Sequence, residues 1–196
     1  TIRYLSLHDL KYLRYFNGHK ARILDLCMSP GNDCFVSVSA DKTARIWDLR
    51  SPNCQGLTQP SSPPVLVRMD PKGLVFATAT LRKTLLLYDL RSYDKGPFYE
   101  FSIPISSAYG PPEPHLVESS SVSSFEFSPD GKKVAVLALN QAEIVVSVLD
   151  SFEGRVYSCI SSPTPWGYLE AIKDPDLSSQ QMRINLSGTP NSNYFV

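Results

Sequence analysis

The sequence predicts an all-β chain assembled from repeated four-stranded antiparallel units, and three observations carry that expectation. First, a Ser/Asp/Thr-Pro turn recurs as Ser29-Pro30, Asp70-Pro71, Ser128-Pro129 and Thr189-Pro190, with the prolines 41, 58 and 61 residues apart. The first spacing matches a four-stranded repeat of ~40–45 residues, and the other two accommodate insertions of roughly 15–20 residues. Second, each turn is preceded and followed by a short apolar run of strand length. Third, the stretch Asn17 to Asp48 is bracketed by Gly18-His19 at its start and Trp47-Asp48 at its end.

Taken in order, residues 1–17 read as the back half of a unit. Ile2 to Leu7 alternates with polar positions, His8-Asp9 aligns with Trp47-Asp48, and Tyr12 to Phe16 forms the outer strand. Residues 18–57 form the most regular unit, with strands expected near 22–28, 35–39, 43–47 and 54–57 and a hairpin turn at Asp41-Lys42. Residues 58–101 form a degenerate unit, with strands at Val65 to Met69, Val75 to Thr80 and Thr84 to Tyr88; Thr78 aligns with Ser37, Arg82 with Asp41 and Tyr88 with Trp47. Residues 102–121, rich in Pro and Ser, read as a loop insertion.

Residues 122–160 form another unit, with strands at Val122 to Phe127, Lys133 to Leu139, Ala142 to Val148 and Arg155 to Cys159. Its Pro129 to Asp150 distance is 21 residues against 18 in the earlier units, which a bulge or longer hairpin near Asn140-Gln141 would absorb. Residues 161–181 read as a second loop insertion, with a short helical turn at Tyr168 to Ile172. Residues 182–196 start a further unit: strand Met182 to Leu186, turn Gly188 to Asn191, then Tyr194-Phe195-Val196. The expectation is a single partial domain over 1–196, incomplete at both ends, from a truncated product or from a longer chain.

The chemistry of the regular unit is a buried hydrogen-bond relay. His19 donates from one ring nitrogen and accepts at the other, Asp41 accepts in a tight turn, and the Trp47 indole N–H donates to a strand hydroxyl. That hydroxyl is Ser37 or, alternatively, Ser39. Such a relay ties the entry loop to the inner strands, and removing one member strands buried partners at about 1–3 kcal/mol each.

Gly18-His19, Asp41 and Trp47-Asp48 at these positions resemble a blade of the WD-repeat β-propellers. Longer strings narrow the resemblance: Thr1 to Asp9, Tyr15-Phe16, Trp47 to Leu57 and Leu87 to Phe98. They are similar to the WD-repeat subunit shared by the COMPASS histone lysine methyltransferase complex and the RNA 3′-end cleavage, termination and phosphatase assembly. The match covers residues 1–101 and weakens beyond. It implies a non-catalytic adaptor in the nucleus, docking onto large subunits of those complexes and linked to the phosphorylated tail of RNA polymerase II. The alternative is a generic WD-repeat adaptor of another complex, in ubiquitin ligation or RNA processing.

Composition narrows the function classes. The 196-residue chain has 19 Lys+Arg against 19 Asp+Glu, so nothing in its net charge demands a nucleic-acid or anionic-membrane partner. No segment reaches 18 consecutive apolar residues. Cys27, Cys34, Cys54 and Cys159 form no C-x-x-C pair, and no two histidines share a metal-ligand spacing. No cofactor or metal is expected. Nucleophile-elbow, phosphate-loop and dinucleotide motifs are absent, so nothing supplies an enzyme with a nucleophile and its base. Lys20, Lys42, Arg82 and Lys83 occupy loop or hairpin positions that could share one rim, as a phosphopeptide site or as ordinary solvated turn residues. Asn185-Leu186-Ser187 is a glycosylation sequon by pattern alone.

Overall fold

The computed structural model describes residues 1–104, 120–139 and 143–163. The helical turn expected at 168–172, the strands expected at 182–186 and 194–196, the turn between them and the sequon all lie outside the described residues, as does the interior of each expected loop. The chain divides into two compact units, Thr1–Glu100 and Phe101–Val196.

The first unit opens with a two-stranded sheet of β1 (Ile2–Leu5) and β2 (Tyr12–Phe16). Two four-stranded antiparallel meanders follow, each with its strands in sequence order. One comprises β3 (Ile23–Met28), β4 (Cys34–Ser39), β5 (Ala44–Asp48) and β6 (Cys54–Thr58). The next comprises β7 (Pro64–Met69), β8 (Val75–Thr80), β9 (Thr84–Asp89) and β10 (Tyr99–Ser102), with a 3-10 turn at Tyr93–Lys95 before the last strand. The second unit contains the meander β11 (Ser121–Phe127), β12 (Lys133–Leu139), β13 (Glu143–Asp150) and β14 (Val156–Pro163).

Strand alternation explains how one sheet is buried on both faces. Side chains along β4 and β5 point alternately to either side. Phe35 and Trp47 pack with Phe16 of β2. Val36, Val38, Ala44 and Ile46 turn the other way and pack with Val67, Met69, Phe76, Leu86 and Tyr88 of the next sheet. The aromatic side is ordered by ring geometry: Phe16 meets Phe35 edge-on at 4.9 Å and Trp47 at 5.7 Å, while Phe35 and Trp47 stack at 6.1 Å.

A bulge repeats at one place in all three meanders. Leu24, Val65 and Ser123 are the extra residues between paired positions of the first two strands. Each lies six residues before its turn proline, Pro30, Pro71 or Pro129. Bulges bend a strand and increase its twist, so these three innermost strands share one built-in bend.

Several expectations are corrected. His8-Asp9 does not end a strand: β1 stops at Leu5, and both residues lie in the following turn. The Ser6 hydroxyl holds the Asp9 carboxyl below its usual range there, in a local turn contact. No bulge absorbs the longer repeat: β12 and β13 pair without a register shift from Lys133↔Asp150 to Leu139↔Ile144. Their 7 and 8 residues against 6 and 6 in β8 and β9 account for the three extra positions. The loop expected from 102 to 121 gives up both ends, Ser102 to β10 and Ser121 to β11. The loop expected from 161 likewise starts late, because β14 stays paired with β13 to Pro163. Neither β10 nor the 3-10 turn was marked by apolar alternation strong enough to be read.

Candidate functional site

Asp41 sits in the β4–β5 hairpin, and His19 lies in the loop leading to β3. The His19 ring bridges them: Nδ1–H donates to Asp41 Oδ2 at 2.9 Å, and Nε2 accepts from the Ser37 hydroxyl at 2.8 Å. Ser37 Oγ in turn accepts from the Trp47 indole Nε1–H at 2.8 Å. The four residues named from the sequence therefore form one directional chain, indole to hydroxyl to imidazole to carboxylate. Ser39, the alternative hydroxyl, instead donates to the carbonyls of Ala21 and Arg22.

Asp41 is saturated. Oδ2 also accepts the Lys20 backbone N–H at 2.9 Å, and Oδ1 accepts the Thr43 hydroxyl at 2.6 Å and its N–H at 3.1 Å. Burial alone would raise its pKa, but these donors, with His19, outweigh it and hold the carboxyl well below the carboxylate range. Burial pushes His19 down from 6.5, against the pull of Asp41, and the nearby Arg45 charge adds to the depression. Neutral imidazole also suits the hydrogen bonds. A proton on Nε2 would face the Ser37 O–H, which would then lose its acceptor.

Gly18 is required by close approach. A Cβ there would lie 2.7 Å from Arg45 Nη1 and 3.0 Å from the Trp47 ring. Thr43 and the Lys20 amide were not foreseen as members; the Asp-Lys-Thr spacing, which favours a local side-chain-to-backbone turn, was the available signal. Also unforeseen was a tie between the first strands of the two adjacent sheets. Asp25 Oδ2 accepts from Arg68 Nη1 at 2.7 Å and from the Val67 N–H at 3.1 Å. Nothing in the strings around Asp25 and Arg68 pairs them, since 43 residues separate them.

Ser37, His19 and Asp41 have the hydrogen-bond order of a nucleophile triad. Ser37, however, is wholly buried and its oxygen is already taken by Trp47. No electrophile can reach it, so what the arrangement does is tie a loop to a sheet. Among the described residues no cluster of His, Cys, Asp and Glu could hold a metal ion, and no helix is long and apolar enough to cross a membrane.

The cations fall at one end of the first unit. The β3–β4 and β7–β8 turns touch, with a Cβ on Gly31 placed 3.1 Å from the Lys72 carbonyl. The β4–β5 and β8–β9 hairpins therefore share the opposite end. Lys42 and Lys83 take the same left-handed conformation at equivalent hairpin positions, φ 67° and 61°. Lys20, Lys42 and Arg82 are exposed and Lys83 is half-buried.

In the degenerate unit the equivalents do not form a relay. Thr78 Oγ1 is buried without a hydrogen-bond partner. Arg82 offers only its backbone N–H, to Ser62 Oγ at 3.1 Å. Tyr88 keeps the packing role of Trp47 by stacking on Phe76 at 4.9 Å.

Comparison with known proteins gives these features a family. Residues 10–48 match the family described as "WD domain, G-beta repeat". The chain is 46% identical over 154 residues to "WD repeat-containing protein 82" of Drosophila melanogaster, covering 79% of this chain and 44% of that protein. It is 39% identical over 185 residues to "Set1 complex component swd2" of Schizosaccharomyces pombe, covering 90% of this chain and 48% of that protein. It is 44% identical over 98 residues to "COMPASS component SWD2" of Saccharomyces cerevisiae, covering 50% and 30%. The chain thus spans about half the length, or less, of these curated relatives. The β-propeller domain of Cps50 (Swd1) from Myceliophteria_thermophila superposes with a TM-score of 0.63 at 14% identity, over 81% of this chain and 48% of that one, a likeness of fold.

Proposed function

We propose that this chain, a stretch of WD-repeat β-propeller, is part of a non-catalytic adaptor subunit of a nuclear histone methyltransferase complex of the Set1 type. The observation that carries the reading is its similarity over 90% of its length to a protein named as a Set1 complex component. The site geometry supports it. The one constellation with triad order is sealed by Trp47 and fully hydrogen-bonded, so it serves rigidity. Rigid blades that hold loops at their ends are the usual basis for docking partners.

The partners in this reading are large subunits of the methyltransferase complex, and by extension of the RNA 3′-end-processing assembly. Lys20, Lys42 and Arg82, exposed at one end of the first unit, offer charge-assisted contacts to a phosphorylated segment such as the RNA polymerase II tail. Capture of the full parent chain from nuclear extract, read by mass spectrometry, tests the assignment. Recovery of Set1-type methyltransferase subunits is the expected result. Recovery of a different, stoichiometric complex would replace this assignment with that of a WD-repeat adaptor elsewhere.

A further inference from the structure

Between β6 of the regular blade and the β9–β10 connection of the next lies a cleft of about 310 Å³. Ligand cavities typically span about 300–1,000 Å³, so this one suits a single long side chain and its backbone. One wall is Tyr93, whose hydroxyl donates to the Gln55 carbonyl at 3.0 Å. Its ring lies so close over Gly56 that any Cβ there would collide with it. Tyr88 and Leu86 of β9 face it with Leu57 and Thr58 of β6.

The charge of the cleft is one-sided. Asp94 and Glu100 line it, and no lysine or arginine does. Both carboxylates are exposed, and neither makes a salt bridge or a side-chain hydrogen bond. Inside, Thr58 is only 8% exposed, and its hydroxyl makes no well-formed hydrogen bond although the Tyr88 phenol lies beside it. Burial, with a contribution from the Glu100 charge, pushes that phenol up to about 12, so it stays a neutral donor. The charge that holds the proton on Tyr88 also favours a cation in the cleft.

We propose that this cleft receives a lysine or arginine side chain from an extended peptide of a protein partner. The cationic head pairs with the carboxylates of Asp94 and Glu100, and the aliphatic stem lies along Leu57 and the tyrosine rings. An acidic side chain meets repulsion, and a neutral apolar one leaves both carboxylates without a partner. Because the carboxylates face water, the contact is weak alone and salt-sensitive, as one anchor within a larger interface is. The recognition is independent of which complex the adaptor serves, so the capture experiment and the test below fail separately.

The test uses four blocked pentapeptides, acetyl-Gly-Ala-X-Ala-Gly-amide with X as Lys, Arg, norleucine or Glu, titrated into the full chain and followed by amide NMR shifts. Lys and Arg peptides are expected to shift residues 57–61 and 93–100 saturably, and the norleucine and Glu peptides to leave them in place. The Asp94→Asn/Glu100→Gln double variant, altered only at exposed positions, keeps its thermal melt and binds at least about tenfold more weakly. Equal shifts from the norleucine peptide would overturn the proposal in favour of an apolar groove. Unchanged affinity in the double variant, or no saturable shift at about 10 mM peptide, would also overturn it.

Discussion

The sheets β3–β6 and β7–β10 share topology, the same bulge offset and the same aromatic stack, yet only the first has a relay. Phe35↔Trp47 and Phe76↔Tyr88 are the same cross-strand pair in the two registers. At the relay positions the first sheet has Ser37 fully engaged, and the second has Thr78 with its hydroxyl buried and unpaired. The comparison separates two jobs. Apolar pairing and the stack build the blade. The relay adds a tie from the entry loop to the inner strands, and a blade packed against its neighbour stands without it.

The largest effect that would test this separation is at the aligned pair Asp41 and Arg82. Asp41→Ala strands the Nδ1–H of His19, the Lys20 amide and two Thr43 donors, for an expected loss of about 3 kcal/mol. Arg82→Ala, an exposed side chain, is expected to stay within about 0.5 kcal/mol. Urea midpoints at unchanged slope measure both; equal losses would erase the distinction between the blades.

Next comes the tie that joins the two sheets. Asp25→Ala leaves the mostly buried Arg68 guanidinium without its carboxylate, and about 2–3 kcal/mol is expected. Hydrogen exchange should accelerate in β3 and β7 together. Acceleration confined to β3 would show that Asp25 braces its own sheet only.

The hydroxyl pair sharpens the comparison because the signs are opposite. Ser37→Ala removes a bond at each side and costs about 1–2 kcal/mol, whereas Thr78→Val removes an unpaired buried hydroxyl and is neutral or stabilising by up to about 1 kcal/mol. Destabilisation by Thr78→Val would show that this hydroxyl has a role like that of Ser37.

The smallest effect is in pH. His19 is depressed below 6.5 by burial, so the unfolded chain binds its proton first as pH falls. The stabilisation is therefore whole above about 6.5 and is lost as pH drops from there towards the folded value. Asp41 is depressed too, and its contribution is lost only below its ordinary 3.8. The denaturation midpoint of the native chain should fall between about pH 7 and 5. His19→Gln should flatten that fall; an undiminished slope would assign it to another group.

The strands of the first unit were readable because their pattern is local. Alternation and turn prolines place β3 to β9 to within a residue or two of their observed ends. Gly18, His19, Asp41 and Trp47 were readable because repeat spacing fixes their relation. The unread parts are relations across sheets or offsets between strands. No pattern marks Leu24, Val65 or Ser123 as a bulge, because an extra residue is defined only against the partner strand. The His8-Asp9 alignment failed because equal spacing along the chain does not place a strand end when the connecting turn differs by a residue. β10 was missed because Tyr-Glu-Phe-Ser is short and becomes a strand only by pairing with β9.

By itself, the sequence determined the all-β repeat, the turn positions and the four relay members, since these depend on residue types at fixed local spacings. Only the tertiary structure decided that Ser37 rather than Ser39 closes the relay, because the two face different neighbours. It also decided that Asp25 meets Arg68 and that Asp94 and Glu100 border a cleft without a cation, because such contacts arise only when separate sheets are packed side by side.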